Sequence, residues 1–224
     1  PQLMRIKKLY ILLLGLLLLS SATLVEFTEY ATIEFLSSEH TFKAGDSIIL
    51  EFSAPNNETP YLYCSHSYGT TVIKPLLKKN TIEYHIPEPI SNKSGVVFWQ
   101  LINHDLSGQF EIIPKAKVNS LETYIGPPSI AAGGTDYAML VVIQTDDLDN
   151  ALQANTPVNI KHQFLASQEN DTVRTTDFIA YKNIYSKLET GRILIATDCL
   201  GFDSKEYDIN VLAATPTNFT ISAT

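Results

Sequence analysis

The chain has 224 residues, 45% of them hydrophobic and 18% charged, with a formal net charge of −8. That composition supports folded cores and excludes wholesale disorder. The acidic balance, with no basic patch interleaved with aromatics, excludes nucleic acid as a partner.

The N-terminus carries Arg5, Lys7 and Lys8 just after Met4, then the apolar run "LYILLLGLLLL", Leu9 to Leu19. Ser20 and Ala22 follow with the spacing of a cleavage site. Basic, apolar and small residues in that order define a secretory signal peptide, here residues 1–22 with Met4 as the start. The apolar run is shorter than the roughly 20 residues that span a bilayer. The alternative is an uncleaved anchor lengthened by Leu24 and Val25, and only that segment would touch a membrane. Export permits disulfides. However, Cys64 and Cys199 fall in different predicted domains, so two independent buried thiols are expected.

After the leader the pattern is period two, rich in Val, Ile, Thr, Tyr and Phe and broken by turn signals. This predicts an all-β chain of sandwiches or barrels. A first set spans 28–114. "TIEFL" (32–36) opens it, and the Gly45-Asp46 turn leads to "SIILEFS", with Ile48, Leu50 and Phe52 on one face. "APNNETP" is a loop. "YLYCSHS" puts Leu62 with Cys64. "TTVIKPLL" contains Pro75 and reads as one edge strand. "TIEYHI" aligns Ile82, Tyr84 and Ile86. "GVVFWQLIN" is apolar on both faces, as a central strand would be, and "GQFEIIP" closes a sandwich-sized set.

A second set spans 118–214. "SIAAGGTD" is a turn-rich approach to the long strand "YAMLVVIQT" (137–145). "PVNIKHQFLA" alternates Val158, Ile160, His162 and Phe164. "SQENDT" reads as a polar loop. "DFIAYKNIY", "TGRILIATDCL" and "SKEYDINVLA" are further strands, the last with Tyr207, Ile209 and Val211 on one face. Residues 215–224 read as a linker or the start of a further domain.

Chemistry-bearing residues concentrate in "QTDDLDNALQ" (144–153). Asp146, Asp147, Asp149 and Asn150 could supply oxygens to calcium, although the alternating acids, Gly and distal Glu of an EF-hand are incomplete. Asp and Asn are equally the residues of tight turns, because their side chains bond the local backbone. The histidines, His40, His66, His85, His104 and His162, sit in or beside strands with no nucleophile motif around them. No catalytic residue and no cofactor beyond that calcium is expected. Trp99, the only tryptophan, reads as a core residue. N-x-[ST] triplets at Asn57, Asn92, Asn170 and Asn218 mark surface.

In the second set, "VVIQTDDLDNALQANTPVNIKHQF" resembles the bacterial immunoglobulin-like repeats of the invasin and intimin adhesins. Asp146 or Asp147 matches the acid that ends a strand there, Asn150 the turn Asn, and Val158 and Ile160 the returning strand. "ETGRILIATDCLG" and "YDINVLAATPTNFTIS" are similar to the family's Gly-led strand and its exit into the next repeat. Asp149 and Ala151 replace the Gly and Pro that flank the family's Asn. The resemblance covers about residues 118–224. The first set is similar to immunoglobulin or fibronectin sandwiches only in strand count and pattern.

The leader and the two strand sets predict two tandem immunoglobulin-like β-sandwich domains after an N-terminal signal helix, and the resemblance fits the second of them. It implies a non-catalytic, exported protein of the cell surface, acting in adhesion or as a spacer. Its partners would be a protein or glycan ligand and further domains of the same chain. The alternatives are an accessory module of a larger secreted enzyme and a macroglobulin-like surface protein.

Overall fold

The computed structural model describes residues 32–55, 58–216 and 220–222. The expected signal segment, residues 1–22, lies outside them, as do Asn57 and Asn218. Among the described residues no helix is long and apolar enough to cross a membrane.

Nearly all the regular structure is strand. The first sandwich contains β1 (Thr41–Lys43), β2 (Ile49–Ser53), β3 (Leu62–His66), β4 (Gly69–Ile73), β5 (Leu76–Lys78), β6 (Thr81–His85), β7 (Gly95–Leu101) and β8 (Ser107–Ile113), with a one-turn helix α1 (Glu88–Ser91) before β7. One sheet runs β1-β8-β7-β3-β4 and the other β2-β6-β5. Period two aims every second side chain at the facing sheet. Leu50, Phe52, Ile82 and Tyr84 thus bury against Leu62, Cys64, Trp99 and Leu101 in one cluster. Each large apolar side chain so buried contributes roughly 1.5–3 kcal/mol relative to exposure. Trp99 sits in this core, edge-on to Phe52 at 5.2 Å between ring centroids and tilted on Phe35 at 4.9 Å.

The second sandwich contains β9 (Ser120–Gly126), β10 (Ser129–Ala131), β11 (Tyr137–Thr145), β12 (Pro157–Phe164), β13 (Ser167–Arg174), β14 (Ala180–Tyr185), β15 (Gly191–Cys199), β16 (Phe202–Asp203) and β17 (Tyr207–Leu212). Its sheets are β14-β11-β9 and β10-β17-β15-β12-β13, with β16 on β15. Leu140, Val142, Ile160, Ile193, Ile195 and Ile209 form a second, separate core. In both sandwiches a short early strand pairs parallel with the last strand, β1 with β8 and β10 with β17. The two units are immunoglobulin-like sandwiches whose larger sheets share one wiring, while the smaller sheets differ in the strand that carries the third, β6 for β5 and β11 for β9.

Several expected elements differ. "SQENDT" is a strand, since β13 pairs with β12 along its whole length. As an edge strand exposed from Ser167 to Asn170, with only Asp171 and Val173 partly buried, it has too little apolar alternation to reveal it. "TTVIKPLL" is two strands, with β4 and β5 on different sheets and Pro75 between them. Proline lacks the N–H that a continuous ladder needs. β7 is central and apolar on both faces, as expected, but only Val97, Trp99 and Leu101 are buried, and Val96 and Phe98 are exposed. The strand expected at 32–36 is a single bridge, Phe35 to Phe52. β9, β10 and α1 carried no clear signal. Thr220–Ser222 lie in no strand.

Candidate functional site

The acidic stretch connects β11 of one sheet to β12 of the other, so it crosses between the sheets of the second sandwich. It is wound around Asp146. The Leu148 and Asn150 N–H groups both donate to Asp146 Oδ1 at 2.9 Å. The Asp146 N–H donates to the Asn150 carbonyl at 2.9 Å, and the Asp149 N–H to the Asp146 carbonyl at 3.1 Å. Asp149 has φ 62°, a left-handed conformation that Asp and Asn tolerate better than most residues. These local bonds are what Asx side chains offer a turn.

The wound loop faces the first sandwich and bonds to it. Asn150 Oδ1 accepts the Ser94 N–H at 2.8 Å. Asn150 Nδ2 donates to the Asn92 carbonyl at 2.9 Å. Lys93 Nζ donates to the Leu148 carbonyl at 2.8 Å. These three partners are the consecutive residues that follow α1. The Leu148 side chain packs on the first core. It lies where a Cβ on Gly45 would come within 3.1 Å of Leu148 Cδ1. Gly45 itself has φ +86° and donates its N–H to the Ser91 carbonyl at 2.9 Å. The Gly45-Asp46 turn therefore leaves room for the loop of the other sandwich.

The connecting segment completes the joint. The Lys115 N–H donates to Asp146 Oδ2 at 2.9 Å, and Lys115 Nζ pairs with Asp147 Oδ2 at 2.9 Å. Burial alone pushes the Asp146 carboxyl up. The N–H groups of Asn150, Lys115 and Leu148 and the Asn150 amide outweigh it and hold the carboxyl below its ordinary value. Donors to a carboxylate favour its charged form.

Of the four sequence candidates, Asp146 and Asn150 are buried at 2% exposure each. Asp147 and Asp149 are exposed. The loop thus brings Asp146 and Asn150 together and turns the other two acids outward. A cation on Asp146 would have to displace the donors it already holds. Among the described residues no group of three or more His, Cys, Asp or Glu side chains is placed to hold a metal. Sequence reading missed Asn92, Lys93, Ser94 and Lys115, three of which act through the backbone, where side-chain identity is silent.

Elsewhere three histidines meet carboxylates, and His66 Nδ1 accepts the Tyr68 N–H at 3.4 Å. His162 Nε2 lies 3.1 Å from Asp171 Oδ2, and His85 and His104 face Glu83 and Glu58. Among the described residues none hydrogen-bonds a Ser, Thr or Cys side chain. Lys182 holds the Asp171 carboxyl below the usual range, with His162 adding to the effect. Cys64 and Cys199 are free and buried. Burial pushes the Cys64 thiol up to about 12, and burial with the neighbouring Asp198 charge pushes Cys199 to about 11.

No protein-family model matches the sequence. No curated protein matches it. Among solved structures the chain is similar to invasin, a bacterial integrin-binding protein, at 13% identity, 82% of this chain, 39% of that one and a TM-score of 0.42. It is similar to the FN1–FN3 domains of chicken CNTN1 at 10% identity, 84% of this chain, 67% of that one and a TM-score of 0.43. It is also similar to a glycosyl hydrolase family 2 member from Bacteroides cellulosilyticus at 14% identity, 75% of this chain and a TM-score of 0.38, and it spans only 23% of that enzyme. These proteins do different things, and the likeness assigns no activity.

Proposed function

We propose that the chain is a rigid two-sandwich segment of an exported cell-surface protein. It acts in adhesion or as a spacer that holds binding loops away from the membrane, without catalysing a reaction. The observation that carries this reading is the clamp. Asp146 organises a loop whose Asn150, Leu148 and Asp147 engage the first sandwich and the connecting segment. Tandem domains pivot freely by default unless their contact is substantial. A joint with directional bonds and an inserted leucine keeps the sandwiches in one orientation, as a spacer requires.

The likeness of "DDLDN" to invasin and intimin repeats and the signal-like N-terminus support placement outside the cell. The ligand would be a surface protein or glycan met by loops at the sandwich ends. Expression of the chain with its own N-terminus, followed by fractionation and mass spectrometry of the mature end, tests export. Recovery outside the cytoplasm with cleavage after Ala22 is expected. Retention of the intact leader in the cytoplasm, or hydrolysis of a polymer or ester by the purified chain, would defeat the reading.

A further inference from the structure

β4 is the outer strand of the five-stranded sheet, and among the described residues nothing pairs with its free edge. An exposed row of backbone N–H and C=O groups recruits another strand unless charge, proline, shortness or a cover prevents it. The other edges have such protection. β5 is three residues long, follows Pro75 and carries Lys78. β13 carries Glu169 and Asp171, which pair with Lys187 and Lys182 beside it. β9 carries Glu122 and β14 carries Lys182. β2 is covered at Phe35. β1 and β10 have three residues each. β4 has five, "GTTVI", without charge or proline.

The hairpin fixes which groups are free. His66 pairs with Gly69 across a two-residue turn, and Cys64 with Thr71. In an antiparallel ladder alternate residues direct their backbone groups to the same neighbour. Gly69, Thr71 and Ile73 therefore bond β3, while Thr70 and Val72 turn their N–H and C=O groups outward. On the outer face Val72, 53% exposed, lies directly opposite Tyr63, 38% exposed.

We propose that β4 pairs antiparallel with β4 of a second copy of this chain, about a twofold axis at Thr71. That is the one twofold register in which all five residues are paired. It sets Thr70 opposite the other copy's Val72, so the outward-turned groups of both residues meet. No acid or base falls within the pairing, and Lys74 just beyond it faces the neutral Tyr68. β-branched pairs such as Val with Thr suit a ladder. The Tyr63–Val72 row of each copy then meets the other copy's Thr70, and the two Val72 side chains lie diagonally across the new ladder on one face. A twofold contact of this kind is closed and does not propagate.

Two cysteine variants test the register. Opposed residues in a hydrogen-bonded pair lie about 5.5 Å apart at Cα, within disulfide reach. Residues two places out of register lie beyond it. Thr70→Cys mixed with Val72→Cys should cross-link at least several-fold faster on mild oxidation than either variant alone. The native thiols are buried, so background is low. Sedimentation equilibrium of the purified chain should show the mass doubling with concentration. Val72→Lys, at an exposed position, should hold it at one chain with the melting temperature that the wild-type chain shows at low concentration. A single-chain mass at every concentration, dimers that persist in Val72→Lys, or cross-linking no faster in the mixture would each overturn the proposal.

Discussion

The Asn150 amide oxygen of the second sandwich accepts the Ser94 N–H of the first at 2.8 Å. The same amide donates to the Asn92 carbonyl, so both of its ends are used across the joint. Asn150→Ala removes both bonds and leaves the Ser94 N–H and the Asn92 carbonyl without them. A loss of about 1–3 kcal/mol in urea unfolding is expected. Asn150→Asp should also lose stability, because a carboxylate cannot donate to the carbonyl and would lie against Asp146. An unchanged midpoint in both variants would mean the joint contributes nothing to the fold.

Asp146 makes the stability pH-dependent. Its folded carboxyl is held below its unfolded value of about 3.9. A depressed carboxyl contributes stability that is fully present above the unfolded value and is lost as pH falls through the folded one. The Glu83, Glu169 and Asp171 carboxyls are shifted the same way, with bonds from Lys78, Lys187 and Lys182 as the largest causes. Stability should therefore hold from neutrality to about pH 5 and decline below about pH 4. Asp146→Asn should lose stability at pH 7 and show a shallower decline in acid. Parallel urea curves from pH 3 to 7 measure both slopes, and equal slopes would remove Asp146 from the acid response.

Gln144 opposes the fold. It is fully buried, and neither amide atom has a hydrogen-bond partner among the described residues. A buried polar group without a partner costs about 1–3 kcal/mol, whereas an apolar residue of similar shape avoids that cost. Gln144→Met should raise the melting temperature, gaining about 1–2 kcal/mol by the same reasoning. A fall in stability would show that the amide is bonded in solution.

Much of this was legible in the sequence because burial has a period. Leu50 and Phe52, or Val158, Ile160 and Phe164, alternate with polar residues, and they face the cores. β13 was hidden for the opposite reason: only Asp171 and Val173 are partly buried, so few of its positions select an apolar side chain. The parallel pairing of β1 with β8 joins residues about seventy apart, and no local pattern reports it. In the acidic loop the sequence showed a turn with carboxylates. It could not show that the turn faces another domain, because Ser94 and Asn92 answer it through the backbone.

Trp99 reports on the first core. It lies across the strand from Gly108, where an added Cβ would come within 2.5 Å of Trp99 Cζ2. Gly108→Ala must displace the indole ring or the strand. Overpacking of this kind costs about 1–3 kcal/mol. As the chain's only tryptophan, Trp99 should also shift its emission toward the exposed range. Wild-type emission and stability in Gly108→Ala would mean the indole ring is not packed on that strand.

The central claim is that Asp146 and Asn150 hold the two sandwiches in one orientation. Spin labels at the exposed Gln109 and Asn170 place one probe on each sandwich. Pulsed dipolar distances between them should form one narrow distribution in the wild-type chain and broaden several-fold in Asp146→Ala/Asn150→Ala. A broad distribution in the wild-type chain, or an equally narrow one in the double variant, would contradict the account.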